Sequence, residues 1–201
     1  MEKFFNTAGP NKPDIHYTLN PLERWDLSSI VQLIHSQKYF VLHAPRQTGK
    51  TSGLLALVDY LNKEGRYKAF YINVEAAQAA RENIRMGMES ILYEIGNRLN
   101  YFLNDSYIRD NYENLKKSSE TSILANTLST ICQKSKKPVV LFIDEVDALI
   151  GDTLISLLRQ IRSGYDSRPT KFPQSIVLCG VRNVRDYRIH KKRMLCRGSF
   201  F

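Results

Sequence analysis

Residues Leu42–Ser52, LHAPRQTGKTS, decide how the rest of the chain is read. They follow a short apolar run, YFVL, and lead into a segment with Leu54, Leu57, Val58 and Leu61 on one helical stripe. The core, Ala44-Pro-Arg-Gln-Thr-Gly49-Lys50-Thr51, has the spacing of a phosphate-binding loop, with alanine in place of the first glycine. A tight strand-to-helix turn of this kind points backbone N–H groups inward at a helix N-terminus, where the helix dipole also favours anions. Ala44, Pro45, Arg46, Gln47, Thr48, Gly49, Lys50, Thr51 and Ser52 are therefore the expected nucleotide-binding residues. Gly49 lets the backbone approach the phosphates, Lys50 places a charge near the β- and γ-phosphates, and Thr51 supplies a hydroxyl for Mg²⁺.

Working outward, the pattern alternates strands with helices. A helix is expected from about Leu22 to Ser36, with Leu27, Ile30, Val31 and Ile34 on one face. KYFVLHA reads as a strand, Lys50 to Lys63 as a helix stopped by Gly65, and YKAFYINVE as a second strand. Helical stretches follow at about Ala77 to Leu103 and Thr121 to Lys134, separated by a polar surface excursion, NDSYIRDNYENLKKSSE. PVVLFIDEVD is a third strand, Thr153 to Ser163 a helix and QSIVLCGVR a fourth strand. Mostly apolar strands alternating with helices imply an α/β fold, a parallel sheet covered on both faces. Ligands bind such sheets at the C-terminal strand ends, which here read HAPRQTGKT, NVE, DEVD and GVRN.

The third strand ends in Asp144-Glu145. Given the loop upstream, Asp144 is expected beside Thr51, holding Mg²⁺ through water, with Glu145 as general base toward a water. An acid directly after the Mg²⁺ aspartate favours ATP hydrolysis over transfer to a metabolite. Asp147 reads as a helix cap or surface acid. Arg182 and Asn183 follow the fourth strand, where Arg182 could supply charge to a transition state. Asn73 and Glu75 end the second strand and read as loop residues. NKPD at Asn11–Asp14 has the spacing of a guanine-reading motif, but no buried strand precedes it and no Asp-x-x-Gly occurs in the chain, which favours a simple turn.

Bulk properties set the frame. The 201 residues suit one sizeable domain, and 43% hydrophobic with 24% charged residues is a globular profile. No apolar run approaches the roughly 20 residues of a membrane helix, and the N-terminus lacks the apolar stretch of a secretory signal. Cys132, Cys179 and Cys196 have no zinc-ligand spacing, so reduced thiols in a cytoplasmic protein are expected. Residues 182–201 hold +6 of the +9 formal charge. The expected organisation is an irregular segment at 1–21, a core at 22–190 and a basic tail at 191–201.

With these motifs in this order, the chain resembles P-loop ATPases of the AAA-like superfamily. NTAGPNKPDIHYTLNPLERWDL, YFVLHAPRQTGKT, YINVEAAQAARENI, LFIDEVDALIGDTLISLLRQIRSGYD and FPQSIVLCGVRNVRDYRIH resemble a group of bacterial AAA-like ATP-binding proteins. That group shares features with signal-transducing ATPases and origin-recognition-type initiators. The resemblance implies a three-layer sandwich with strand order 5-1-4-3-2, and places Lys50, Thr51, Asp144 and Glu145 in the roles above. Arg182 resembles the sensor arginine of signal-transducing ATPases. Arg159 and Arg162 lie where ring-forming ATPases present an arginine to a neighbouring subunit, so a homo-oligomer is one expectation.

The family continues into a fifth strand, a helical lid and further domains, whereas this chain runs HKKRMLCRGSFF and stops. The tail therefore reads as the end of a truncated or frameshifted gene. The leading expectation is an ATP- and Mg²⁺-binding ATPase module that uses hydrolysis as a conformational switch. The alternatives are a nucleotide-binding remnant with little or no turnover and a nucleic-acid-binding protein, the last resting on charge alone.

Overall fold

Asp26 sets the start of the first helix. Its Oδ1 accepts the Ser29 N–H, and α1 runs Leu27–His35. The apolar spacing places that start at Leu22, but Pro21–Arg24 instead makes a 3₁₀ turn capped by Asn20, and Trp25 is extended between the two. The computed structural model of the chain describes residues 2–7, 12, 14–45 and 47–180. Upstream of the turn, Phe4 and His16 form an isolated parallel bridge, and Lys12 O accepts the N–H groups of Ile15 and His16. Asp14 lies in that turn, as the sequence reading of NKPD expects, while Asn11 and Pro13 lie outside the described residues.

Strand β1 (Phe40–His43) leads through the loop into α2 (Lys50–Glu64). Then come β2 (Lys68–Asn73), a 3₁₀ turn at Glu75–Ala80 and α3 (Ile84–Leu103). The expected helix from Ala77 is interrupted because Arg81 takes a positive φ of 45° and Asn83 caps α3 through the Met86 N–H. The polar excursion is partly structural: it carries α4 (Tyr107–Asp110) and α5 (Tyr112–Leu115), and Ile108 is buried in the core. Helix α6 (Ile123–Lys134) precedes β3 (Val139–Asp144), a 3₁₀ turn at Val146–Ala148, α7 (Gly151–Ser163) and β4 (Ser175–Gly180).

The strands form one parallel sheet in the order β1-β4-β3-β2, the 1-4-3-2 part of the expected order. The expectations of a missing fifth strand, a missing lid and a basic tail concern residues outside those described. Strand side chains alternate between two apolar layers. Ala69, Tyr71, Val140, Phe142 and Val177 pack with Leu54, Leu57, Val58 and Leu61 of α2 and with Ile30 and Ile34 of α1. Phe70, Ile72, Leu141, Ile143 and Ile176 face α3, α6 and α7. Leu54, Leu57, Val58 and Leu61 are wholly buried, each worth roughly 1.5–3 kcal/mol, which anchors the helix that begins at Lys50.

Helices α6 and α7 meet through a buried amide. Gln160 Oε1 accepts the Leu124 and Ala125 N–H groups at 2.8 and 3.3 Å, and its Nε2 donates to Glu120 O and Ser156 Oγ, both at 2.9 Å. The N-terminus of α6 is thus capped from a neighbouring helix.

Candidate functional site

Parallel pairing brings the C-terminal strand ends to one edge. Asn73 sits opposite Asp144, Leu42 opposite Cys179, and His43 opposite Gly180. The residues after β1 turn into α2 with Gly49 at φ 78°, a left-handed conformation that glycine adopts without a Cβ penalty. Asp26 and Asn83 cap α1 and α3 with side-chain oxygens; Gly49 has no side chain to do the same for α2. The first N–H groups of α2 have no partner within the helix, which suits them to an anion.

Lys50 is turned back onto its own loop. Its Nζ donates to Ala44 O at 2.9 Å and Pro45 O at 2.8 Å, and Thr48 Oγ1 donates to Pro45 O at 2.9 Å. Gln47 stands at a positive φ of 59° within the turn, Thr48, Thr51 and Ser52 are half-buried, and Arg46 lies outside the described residues.

Opposite the loop, Asp144 is completely buried and held from three elements. Thr51 Oγ1 donates to its Oδ2 at 2.8 Å, Tyr71 OH donates to the same oxygen at 3.1 Å, and the Glu145 N–H donates to Oδ1 at 2.9 Å. Burial first, then the Asp144 charge, holds the Cys179 thiol well above its ordinary pKa. Burial, then the same charge, pushes the Tyr71 phenol up, so Tyr71 remains a donor. Cys132 and Cys179 are both free and buried, and Cys196 lies outside the described residues.

Glu145 adopts a left-handed backbone, φ 57° and ψ 34°, costing of order 1–3 kcal/mol for a non-glycine residue. The half-buried side chain has a raised pKa, first through burial and then through the charges of Asp144, Asp147 and Glu75, with Lys50 opposing them. Asp147 is neither a helix cap nor a freely solvated acid. It sits half-buried in the Val146–Ala148 turn, and its Oδ1 accepts no hydrogen bond among the described residues. Asn73 Oδ1 accepts the Glu75 N–H at 2.8 Å, a loop role as the sequence suggests. Arg159 and Arg162 are exposed on α7, while Arg182 and Asn183 lie outside the described residues.

Three features of the site escape sequence reasoning. Tyr71 reads as ordinary strand packing, yet its hydroxyl reaches Asp144. Arg24 follows no motif, yet its guanidinium lies over the loop, 3.2 Å from where a Cβ on Gly49 would stand. Trp25 packs so closely on α2 that a Cβ on Gly53 would meet its ring at 2.3 Å, so only glycine fits there. The PLERW run, with its aromatic next to a cation just before a helix cap, is the one signal that could have drawn attention to Arg24 and Trp25.

Strand, open-N-terminus helix and buried strand-end aspartate together define a P-loop ATPase module of the AAA type. The chain belongs to the AAA domain family, which it matches over residues 33–187. Among solved structures it is similar in fold to Cdc6p from Pyrobaculum aerophilum, with 19% identity, TM-score 0.55, and coverage of 89% of this chain and 44% of that one. It is also similar to Drosophila ORC bound to DNA, with 14% identity, TM-score 0.46, and coverage of 92% and 48%. Drosophila ORC bound to poly(dA/dT) DNA and Cdc6 matches at 11% identity and TM-score 0.48, over 83% of this chain and 25% of that one. The chain thus spans less than half the length of each. No curated protein sequence matches it. Among the described residues, no helix is long and apolar enough to cross a membrane.

Proposed function

We propose that this chain binds ATP with Mg²⁺ at the edge between the loop and Asp144, and hydrolyses it to switch the conformation of the module. The observation that carries this reading is the 2.8 Å hydrogen bond between Thr51 Oγ1 and Asp144 Oδ2, residues far apart in sequence. Two hard oxygens side by side suit Mg²⁺, which binds through one or two protein oxygens plus phosphates and water. Among the described residues no cluster of three or more His, Cys, Asp or Glu side chains offers an all-protein metal cage. Thr51 and Asp144 would hold the ion, which supplies Lewis-acid neutralisation of phosphate charge.

The residues of the chain do the rest. Backbone N–H groups from Thr48 to Ser52 bind phosphate oxygens, and Lys50 exchanges its two loop carbonyls for them. Glu145, fixed by its left-handed backbone, accepts a proton from the attacking water through its carboxylate. Arg182 supplies positive charge from the segment after β4. Arg24 over Gly49 and Trp25 against Gly53 flank the loop and the start of α2.

The test is thermal unfolding of the purified chain with Mg²⁺-ATP, with Mg²⁺-GTP and with neither, beside Lys50→Ala. Ligand at a hundred times its dissociation constant stabilises the folded state by about 2.7 kcal/mol. A rise with ATP that Lys50→Ala lacks supports the reading. A folded wild-type chain that responds to neither nucleotide overturns it.

A further inference from the structure

Asp144 Oδ2 has two hydroxyl donors, and they are not equivalent. Thr51 comes from the loop helix and is itself a candidate metal ligand. Tyr71 comes from β2 and has no other task at the site. Its side chain is 3% exposed, and its ring is braced from behind. The Arg98 guanidinium lies over it, 5.7 Å from the centroid, and Phe102 meets it edge-on at 6.4 Å. Arg98 is held in turn by Glu94 at 2.7 Å, one helical turn away on α3. The hydroxyl therefore has a fixed position relative to the sheet, whatever the loop does.

We infer that Tyr71 is a positioning residue for the metal-binding aspartate: its O–H fixes the orientation of the Asp144 carboxylate through Oδ2 from the sheet, so that the carboxylate keeps its place independently of the loop that carries Thr51. The inference rests on the proposed ATP and Mg²⁺ site. The Thr51 hydroxyl has one proton and two lone pairs, so it can donate to Asp144 while a lone pair faces a cation, but its position follows the loop helix. Without Tyr71, the hydrogen bond left on Oδ2 would come from Thr51, which moves with the loop, and the carboxylate could rotate about its Cβ–Cγ bond with Glu145 N–H holding the other oxygen. Tyr71 removes that freedom by holding Oδ2. Partners that orient a metal ligand typically change metal affinity 10–100-fold when removed.

The experiment measures the Mg²⁺ concentration that gives half of the ATP-dependent rise in melting temperature, in wild type and in Tyr71→Phe. The 201-residue chain is used, at fixed ATP, with an EDTA series alongside. Phenylalanine deletes a single oxygen from the buried ring. The expected result is a midpoint raised about tenfold or more, with the metal-free ATP response unchanged. A purely structural role would lower the melting temperature and leave the midpoint in place. Arg98→Leu provides the second variant should Tyr71→Phe not fold: it keeps the hydroxyl but removes its brace, and a smaller rise in midpoint is expected. Coincident Mg²⁺ midpoints in wild type and the folded variant would overturn the role of Tyr71 while leaving the nucleotide site standing. A wild-type chain with no ATP response, with or without Mg²⁺, would overturn the site and the inference together.

Discussion

The two walls of the site are built to different standards of rigidity. On the loop wall, Lys50 is satisfied by two carbonyls of its own turn, and much of the segment from Ala44 to Lys50 faces solvent. On the strand wall, Asp144 is wholly buried and receives donors from α2, β2 and its own strand end. The first wall must exchange internal hydrogen bonds for a ligand; the second is already set. A buried carboxylate without donors would be costly, so its orientation is settled during folding. A lysine at the surface carries no such penalty and can wait.

The largest expected effect separates chemistry from binding. Glu145→Gln should lower ATP turnover at least about a hundredfold, the ordinary scale of general-base catalysis, while the nucleotide-dependent melting shift persists. Steady-state phosphate release and thermal unfolding on the same sample check this. Next comes the loop wall: Lys50→Ala should lose most of the roughly 2.7 kcal/mol stabilisation by saturating ATP, yet change the ligand-free chain by no more than about 0.5 kcal/mol.

The strand wall should behave in the opposite way. Asp144→Ala leaves the Tyr71 and Thr51 hydroxyls and the Glu145 N–H without their acceptor, and should cost about 2 kcal/mol without any ligand. Denaturant titration decides it; equal ligand-free stabilities for the Lys50 and Asp144 variants would erase the contrast. The smallest effect is a pH dependence. The Glu145 pKa in the folded chain lies above its ordinary 4.5, so the folded state holds that proton more tightly. Stability from this group is therefore lost as pH rises from about 4.5 through the raised value. Glu145→Gln removes the loss: the variant should melt above wild type at neutral pH and converge with it below about pH 4.

What the sequence makes legible follows the same division. Apolar strands and the α2 stripe are periodic, so the parallel sheet and the strand-loop-helix unit are readable from residue order. Thr51 and Asp144 are readable as partners because the motif physics demands adjacency. Tyr71 is not, because an aromatic residue in a strand usually signals packing, and its hydroxyl acquires a partner only through register with β3. The left-handed backbone of Glu145 is equally silent, since glutamate has no preference for it. The early helix start at Leu22 fails because periodicity continues across Pro21–Arg24, while the Asp26 cap, a local hydrogen bond, begins the helix later. Ile108 shows the limit of composition: a polar stretch hides one residue that the core requires.

The amide of Gln160 on α7 makes four hydrogen bonds with no ionisable atom of its own, two of them to Leu124 and Ala125 in the first turn of α6. Asp26, which caps α1, is different: hydrogen bonds from Ser29 and Ser28 lower its pKa, and its hold on the helix is lost as acid protonates it. Gln160 cannot be neutralised by acid, and as an uncharged group it is not screened by salt. Shifts in acidity or ionic strength that loosen the first helix leave the contact between α6 and α7 chemically indifferent. The half of the molecule behind the sheet thus has a reference point that does not drift with the solvent.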